Sequence, residues 1–438
     1  MIAVILAGGR GTRLGKYTSK TPKPLVKVAR QPIIERQILF LEREGVGEIW
    51  ILSGYLGDQI KDYLGDGKRY GLRIHHIVET SPRGTAGALK YLEGLIRKDF
   101  LVLSGDVVLD IDLKSLINFH KNKKGVATVV AHQSDHLFDS DLIEADSNDR
   151  VSSFVIRKRK TQPKGLILRN LTCASVFVFS TKIFGYIIKE EVCDIEKDLI
   201  PRIIKRGASI YTYTTAEYIK DVGTLERLKR VGEDILSGKV ERLNKRLKRP
   251  AIFMDRDGVI NREVDELTNI KELKLLPHSA KAIEIINSTD YLSIVITNQA
   301  SIAKGLMTDE HLSKIHNKLE TLLGRHCAKL DAIYYCPHHP EQGFKGEVAS
   351  LKIKCLCRKP ATGLIKQAVR EFNIDPKKSY FIGDTTVDAQ TAKNAGIKFI
   401  GVKTGYGLKD DKYKFDKRIV IKDDLLNAVN LILSFGVV

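Results

Sequence analysis

Residues 2–14, Ile-Ala-Val-Ile-Leu-Ala-Gly-Gly-Arg-Gly-Thr-Arg-Leu, pass from a short apolar, β-branched run straight into a loop of glycine and arginine. Such a run, cut off by glycine, reads as a buried strand. The glycines let backbone N–H groups approach a phosphate chain, and Arg10 and Arg13 add positive charge. Working outward, Ile33, Ile34, Ile38 and Leu41 have helical spacing within 32–43. Residues 48–52 and 72–78 read as strands, 85–96 as a helix, and 100–103 as a strand that ends in Ser104-Gly105-Asp106. Strands alternating with helices predict a mostly parallel sheet wrapped by helices, with ligands at the carboxyl ends of the strands.

The pattern restarts at residues 251–261, Ala-Ile-Phe-Met-Asp-Arg-Asp-Gly-Val-Ile-Asn, where a second apolar strand opens into two aspartates. Further strands fit 292–296, 332–335, 379–382 and 398–402; helices fit 279–287, 309–325, 363–372 and 387–395. Residues 224–249 read as a basic helical segment interrupted at Ser237-Gly238 and ended by Pro250. The predicted architecture is two tandem, doubly wound α/β domains, 1–235 and 251–438, joined by a basic linker, 236–250.

The 438 residues suit two or three domains at roughly 100–200 residues each. Lys and Arg number 72 against 53 Asp and Glu, a net charge of +19, which suits a polyanionic partner. Nucleic acid is disfavoured, because no aromatic residues interleave the basic run of the linker. A membrane is disfavoured, because no apolar run approaches the ~20 residues of a spanning helix. Residues 2–7 are too short for a secretory signal, so the expected compartment is the cytoplasm. Small phosphorylated substrates remain, and self-association is compatible with all of this. Six cysteines are too few for a disulfide scaffold, yet three of them, at 336, 355 and 357, fall close together.

In the first half, Thr21-Pro-Lys-Pro-Leu25 mounts Lys23 between two prolines. Asp106 stands at a strand end, where Mg²⁺ takes oxygen ligands. With PRGTAGAL, SGD, EKDLIPRII and KDVGTLERL, these motifs resemble the nucleotidyltransferases that make NDP-sugars from an NTP and a sugar 1-phosphate, a GT-A-like fold, over about 1–230. The resemblance implies that Gly8, Gly9, Gly11 and Arg13 grip the triphosphate, with Gly84 and Thr85 in the nucleotide site. It implies that Lys23 stabilises charge on the reacting phosphate and that Asp106 and Asp221 hold Mg²⁺. Glu79 falls near the base in such proteins, and a carboxylate matches the two N–H donors of guanine, which points to GTP. Phe154-Val-Ile-Arg-Lys158 lacks the Glu-Lys pair of many relatives and leaves Arg157 for the Lys position. Cys173-Ala-Ser175 stands where relatives often have Asn-Ala-Gly, at positions that touch the sugar.

In the second half, Asp255 and Asp257 can divide labour: one attacks phosphorus, the other protonates the leaving oxygen and later activates water. Thr297 and Asn298 end a strand and offer polar groups to the phosphoryl group; Arg358 and Lys359 supply cations. Asp384 and Asp388 follow another strand. This order resembles the haloacid dehalogenase phosphatases over about 250–405, which implies a Rossmannoid fold and Mg²⁺ held by Asp255, Asp257 and Asp384. Cys336-Pro-His338 and Cys355-Leu-Cys357 offer three thiolates and an imidazole, a closed tetrahedral set suited to structural Zn²⁺. Closing that set would fix the loop ending in Arg358-Lys359. His339 is a bystander or an alternative ligand.

The combination DxDGVIN, TNQ and CxH…CxCRKP looks like the heptose bisphosphate and histidinol phosphatase group. Lys304 and Thr385 depart from the usual Arg and Lys. A heptose 1,7-bisphosphate phosphatase makes the sugar 1-phosphate that a nucleotidyltransferase consumes, so the fusion implies two consecutive steps toward GDP-heptose. A mannose-1-phosphate guanylyltransferase joined to another phosphatase is the second enzyme reading. A regulatory pyrophosphorylase-like module is the non-enzymatic one, and the presence of Lys23, Asp106 and Asp221 argues against it.

Overall fold

A computed structural model describes residues 1–155, 165–416 and 418–435. The chain forms two compact units: residues 1–132, 140–155 and 171–244 make one, and 133–139, 165–170 and 245–435 make the other. The stretch expected as linker therefore divides at 244/245 between the two. Arg157 lies outside the described residues.

In the first unit, the strand Ile2–Ala7 runs parallel to Glu48–Ser53 on one side and Phe100–Ser104 on the other; Arg73–Val78 follows Glu48–Ser53. Ala3 and Ile5 face a core with Ile34, Ile38 and Leu41 of the helix Ile33–Arg43, while Val4 faces the opposite core. Both faces are covered, which is why the first strand is apolar throughout instead of alternating. Connections from Ile2–Ala7 go to one side and the later strand Phe100–Ser104 lies on the other, so the two are neighbours where the strand order reverses. Ligand crevices open at such points, and both the glycine loop and Asp106 leave from here. Thr172–Phe179 adds antiparallel to Phe100–Ser104, making the sheet mixed. A separate antiparallel pair, Val107–Asp110 with Tyr218–Asp221, sets Asp221 opposite Val107.

The expected helix 85–96 is shorter. Gly84–Leu89 is α-helical and Lys90–Leu92 forms a 3₁₀ turn, after which Glu93 is extended and Gly94 left-handed. Thr224 caps the helix Leu225–Leu236, and left-handed Gly238 separates it from Lys239–Arg242, at the interruption read from Ser237-Gly238.

The second unit carries a parallel sheet in the order Ala332–Cys336, Leu292–Asn298, Ala251–Met254, Tyr380–Gly383, Lys398–Val402, Val420–Lys422. Ala251–Met254 is fully buried at its centre. The helix Asp309–Gly324 of this unit binds residues 165–170: Thr321 Oγ1 accepts from Leu168 N at 2.8 Å, and Glu320 Oε2 accepts from Asn170 N at 2.9 Å. Among the described residues no helix is long and apolar enough to cross a membrane.

Burial pushes the Glu320 carboxyl up to about 7. A carboxyl raised in the folded state stabilises fully below its unfolded value, near 4.3, and loses that contribution as pH climbs toward the folded value. Glu320→Gln should therefore raise the melting temperature at pH 8, by the equivalent of roughly 1–3 kcal/mol, and change little at pH 4. Equal gains at both pH values would remove the charge from the explanation.

Candidate active sites

The first site lies at the carboxyl ends of Ile2–Ala7 and Phe100–Ser104. Gly11 is left-handed, φ +64°, and a Cβ there would stand 3.0 Å from Lys23 Cβ and 3.0 Å from Thr18 Cγ2. The loop thus passes directly over Lys23, which is buried. Lys23 Nζ pairs with Asp106 Oδ2, and Ser104 Oγ donates to Asp106 Oδ1 at 2.6 Å. Burial disfavours the Asp106 carboxylate, but the Lys23 ammonium and the Ser104 hydroxyl outweigh it and hold it below its ordinary value. Val222 N donates to Asp106 O at 2.8 Å, so the antiparallel pair brings the Asp106 and Asp221 backbones together. Asp221 Oδ1 pairs with Arg227. A Cβ on Gly223 would lie 2.6 Å from Asp221 Oδ2 and 3.1 Å from Arg13 Nη2, so the Asp221 carboxylate and the Arg13 guanidinium both border Gly223.

Glu79 sits next to Gly8: a Cβ on Gly8 would be 3.2 Å from Glu79 Oε2. Its Oε1 is buried without a hydrogen-bond partner among the described residues, and burial raises the carboxyl. Gly9 faces open space. Gly84 is left-handed and packs on the backbone of Cys193, where a Cβ would come within 2.5 Å of the carbonyl oxygen. The Thr85 hydroxyl accepts from Ile195 N at 2.8 Å and donates to Asp194 Oδ1 at 3.1 Å, so it ties its helix to residues 194–195. Cys173 and Ser175 both donate to Glu196 Oε1, at 3.2 and 3.0 Å. Sequence reasoning gave no role to Ser104, Gly223 or Arg227, although the last two stand in the quoted KDVGTLERL.

The second site forms where four strands of the other sheet end. Lys359 is buried, with Nζ 2.6 Å from Asp255 Oδ2 and 2.7 Å from Asp388 Oδ1. Burial opposes its charge, but the two carboxylates outweigh burial and raise it. Asp255, Asp384 and Asp388 each offer an oxygen within 4.8 Å of the others. Burial, and then the charge of its neighbours Asp388 and Asp255, raises Asp384 well above its ordinary value. Asp384 Oδ1 is buried with no hydrogen-bond partner among the described residues.

Asp257, expected among the metal ligands, points elsewhere. Its Oδ2 accepts from Arg256 Nη2 at 2.7 Å and Gln299 Nε2 at 3.0 Å, and its Oδ1 from Asn261 Nδ2 at 2.8 Å. Burial works against this anion, yet Arg256, Asn261 and Gln299 keep it below the usual range. Asp388 takes the place in the carboxylate cluster that Asp257 was expected to fill. Arg256 is wholly buried and also meets His316 Nε2 at 3.2 Å. Burial and that guanidinium push His316 down to about 3, so the neutral ring accepts.

Asn298 also departs from expectation. Its Oδ1 accepts from Lys359 N at 2.9 Å and its Nδ2 donates to Lys359 O at 3.2 Å, so it holds the lysine backbone. The Thr297 hydroxyl accepts from Gln299 Nε2 at 3.1 Å.

Cys336, His338, Cys355 and Cys357 converge. All four ligand atoms lie within 4.8 Å of one another; Cys357 is 3.2 Å from Cys336, Cys355 and His338, and Cys336 is 3.5 Å from Cys355 and 3.6 Å from His338. Bonds of about 2.3 Å to sulfur and 2.0 Å to nitrogen give tetrahedral edges of roughly 3.5–3.8 Å, close to this spacing. Arg358 is tied to the cluster twice, with N donating to Cys355 Sγ at 3.3 Å and Nη1 to His338 O at 3.2 Å. His339 Nδ1 lies 3.4 Å from Glu341 O instead.

Residues 2–238 match the nucleotidyl transferase family, and residues 356–428 match a HAD-hydrolase-like family. The D-glycero-beta-D-manno-heptose-1,7-bisphosphate 7-phosphatase of Pasteurella multocida is 36% identical over 165 residues, which span 37% of this chain and 87% of that protein. The mannose-1-phosphate guanylyltransferase of Mycobacterium tuberculosis is 29% identical over 238 residues, 54% of this chain and 65% of that protein. The structure of HddC from Yersinia pseudotuberculosis complexed with GMP-PN is 26% identical; it covers 53% of this chain and 99% of its own, with a TM-score of 0.46. The chain is an enzyme with two activities: over more than half its length it belongs to the nucleotidyl transferase family, and its second half belongs to the haloacid dehalogenase phosphatases, alongside the heptose bisphosphate 7-phosphatases.

Proposed function

We propose that the second unit removes the 7-phosphate of D-glycero-D-manno-heptose 1,7-bisphosphate, and that the first joins the resulting heptose 1-phosphate to GTP, giving GDP-heptose and pyrophosphate. One observation carries this reading. A phosphatase similar to the heptose bisphosphate 7-phosphatases shares a chain with a nucleotidyltransferase, and the product of the one is the substrate class of the other. The guanylyltransferase relative and the unpartnered oxygen of Glu79 support GTP. The implied compartment is the cytoplasm.

In the phosphatase, Asp255 attacks phosphorus and the sugar oxygen leaves with a proton from Asp257. Water then attacks the aspartyl phosphate and gives its proton back to Asp257. Arg256, Asn261 and Gln299 favour the Asp257 anion, which suits this second step and works against the protonated form that the first step needs. Asp255, Asp384 and Asp388 would hold Mg²⁺; three crowded carboxylates, one with a bare buried oxygen, fit a divalent cation. Bound there, Mg²⁺ supplies charge neutralisation at the phosphoryl group.

In the transferase, an oxygen of the sugar 1-phosphate attacks the α-phosphorus and pyrophosphate leaves. Lys23 and Arg13 screen the two anions. Asp106 and Asp221 would hold Mg²⁺, each exchanging part of its present pairing with Lys23 or Arg227.

The cysteine and histidine cluster would hold structural Zn²⁺. Cys355→Ser should lower zinc from about one ion per chain and loosen residues 336–357, read by metal analysis and limited proteolysis. Full zinc occupancy in that variant would exclude Cys355 as a ligand. The function itself is tested with a panel of sugar bisphosphates, sugar 1-phosphates and NTPs, with product masses recorded for each unit. Turnover of mannose 1-phosphate alone would favour the second reading, a mannose-1-phosphate guanylyltransferase, which the 29% identical relative supports.

A further inference from the structure

Residues 404–410, Thr-Gly-Tyr-Gly-Leu-Lys-Asp, form a turn over the phosphatase site and supply none of the groups used above. They touch the corner after Tyr380–Gly383 at three places. Tyr406 N donates to Asp384 Oδ2 at 2.8 Å. Leu408 N donates to Asp384 O at 2.6 Å. Asp410 accepts from Thr386 N at 2.6 Å and from Thr386 Oγ1 at 2.8 Å.

The turn is itself anchored. Leu408 is buried, and a Cβ on Gly401 of the neighbouring strand would lie 2.6 Å from Leu408 Cδ1. Gly405, Gly407 and Leu408 are all left-handed, at φ +60°, +56° and +63°. The Asp384 carboxylate lies between two glycines. A Cβ on Gly405 would come within 2.0 Å of Asp384 Oδ2 and 2.7 Å of Gly258 Cα; one on Gly258 would come within 2.2 Å of the same oxygen. No side chain fits at either place without displacing the carboxylate.

We propose that residues 404–410 act as a positioning clip that pins Asp384 Oδ2 to the backbone, so that Oδ1 is presented to a divalent cation shared with Asp255 and Asp388. The inference rests on the reading of those three carboxylates as the Mg²⁺ site. Without the clip, a carboxylate facing two others would turn away from them. Outer partners of this kind orient metal ligands, and their loss weakens metal binding by about 10–100-fold.

The test uses the full chain. Gly405→Ala inserts the clashing Cβ; Leu408→Ala loosens the turn without inserting anything. Mg²⁺ binding is followed by calorimetry in an Asp106→Ala, Asp221→Ala background, which removes the carboxylates proposed for the transferase cation. In the otherwise unchanged chain, the Mg²⁺ half-saturation of phosphate release is compared with the rate at saturating Mg²⁺. Both variants should weaken Mg²⁺ binding and raise the half-saturation by about tenfold or more, with nucleotidyl transfer unchanged. A purely structural defect would lower the rate by reducing folded protein and leave half-saturation where it was, which would overturn the clip. Asp384→Asn separates the two readings. If it binds Mg²⁺ as the wild type does, the metal site is wrong. If it loses Mg²⁺ while both clip variants bind normally, the metal site stands and the clip is wrong.

Discussion

Asp255→Asn abolishes phosphate release, by on the order of 10⁴-fold or more, and leaves nucleotidyl transfer from supplied sugar 1-phosphate at the wild-type rate. The effect is large because the amide is a poor nucleophile and the carboxylates around Asp255 are each held by other groups through at least one oxygen. Asp257 is engaged by Arg256, Asn261 and Gln299, Asp388 by Lys359 and Thr385, and Asp384 by Tyr406 N. The substitution also removes one of the two anions around the Lys359 ammonium, but Asp388 keeps the lysine paired, so the fold should survive. Orthophosphate release and NDP-sugar formation are measured on the same preparation. Loss of both activities in a folded variant would show that the two chemistries are not independent.

What could be read from the sequence was what lies contiguously in it. The loop after Ile2–Ala7 and the two aspartates after Ala251–Met254 announce their strands and their phosphate chemistry together, and the alternation of strands and helices gave both sheets. Contacts that depend on backbone or on chain crossing were not legible. Asn298 is a side chain expected to face a phosphoryl group, yet it reads only the backbone of Lys359. Asp257 and Asp388 are chemically alike; the buried guanidinium of Arg256, which stands between Asp255 and Asp257 in the chain, pairs with Asp257, and Asp257 lies outside the carboxylate cluster. The clip at 404–410 works through N–H groups and missing β-carbons, which leave no mark beyond two glycines. Residues 133–139 and 165–170 lie between strands of the first half, so nothing local assigns them to the second unit.

Asp106→Ala stops NDP-sugar formation, by roughly 10³-fold, and leaves the phosphatase at its wild-type rate. Two effects combine. The variant removes one of two carboxylates proposed to hold Mg²⁺, and it strips the buried Lys23 of its partner, so the ammonium meant for the reacting phosphate is no longer held in place. Asp106→Asn, which keeps an acceptor for Lys23 and Ser104, should retain Lys23 better and still lose the cation; activity near wild type in that variant would remove the metal from the role of Asp106. The sharper form supplies heptose 1,7-bisphosphate, GTP and Mg²⁺ together and follows products in time. The wild type should release orthophosphate first, then pyrophosphate and GDP-heptose. The Asp106→Ala protein should stop at heptose 1-phosphate. The Asp255→Asn protein should accumulate no nucleotide sugar, because a substrate still carrying its 7-phosphate brings a second dianion to a site built to screen one sugar phosphate and a triphosphate. If the wild type releases the anomeric phosphate instead, the first unit is left without a substrate, and the consecutive scheme falls even though each unit keeps its chemistry.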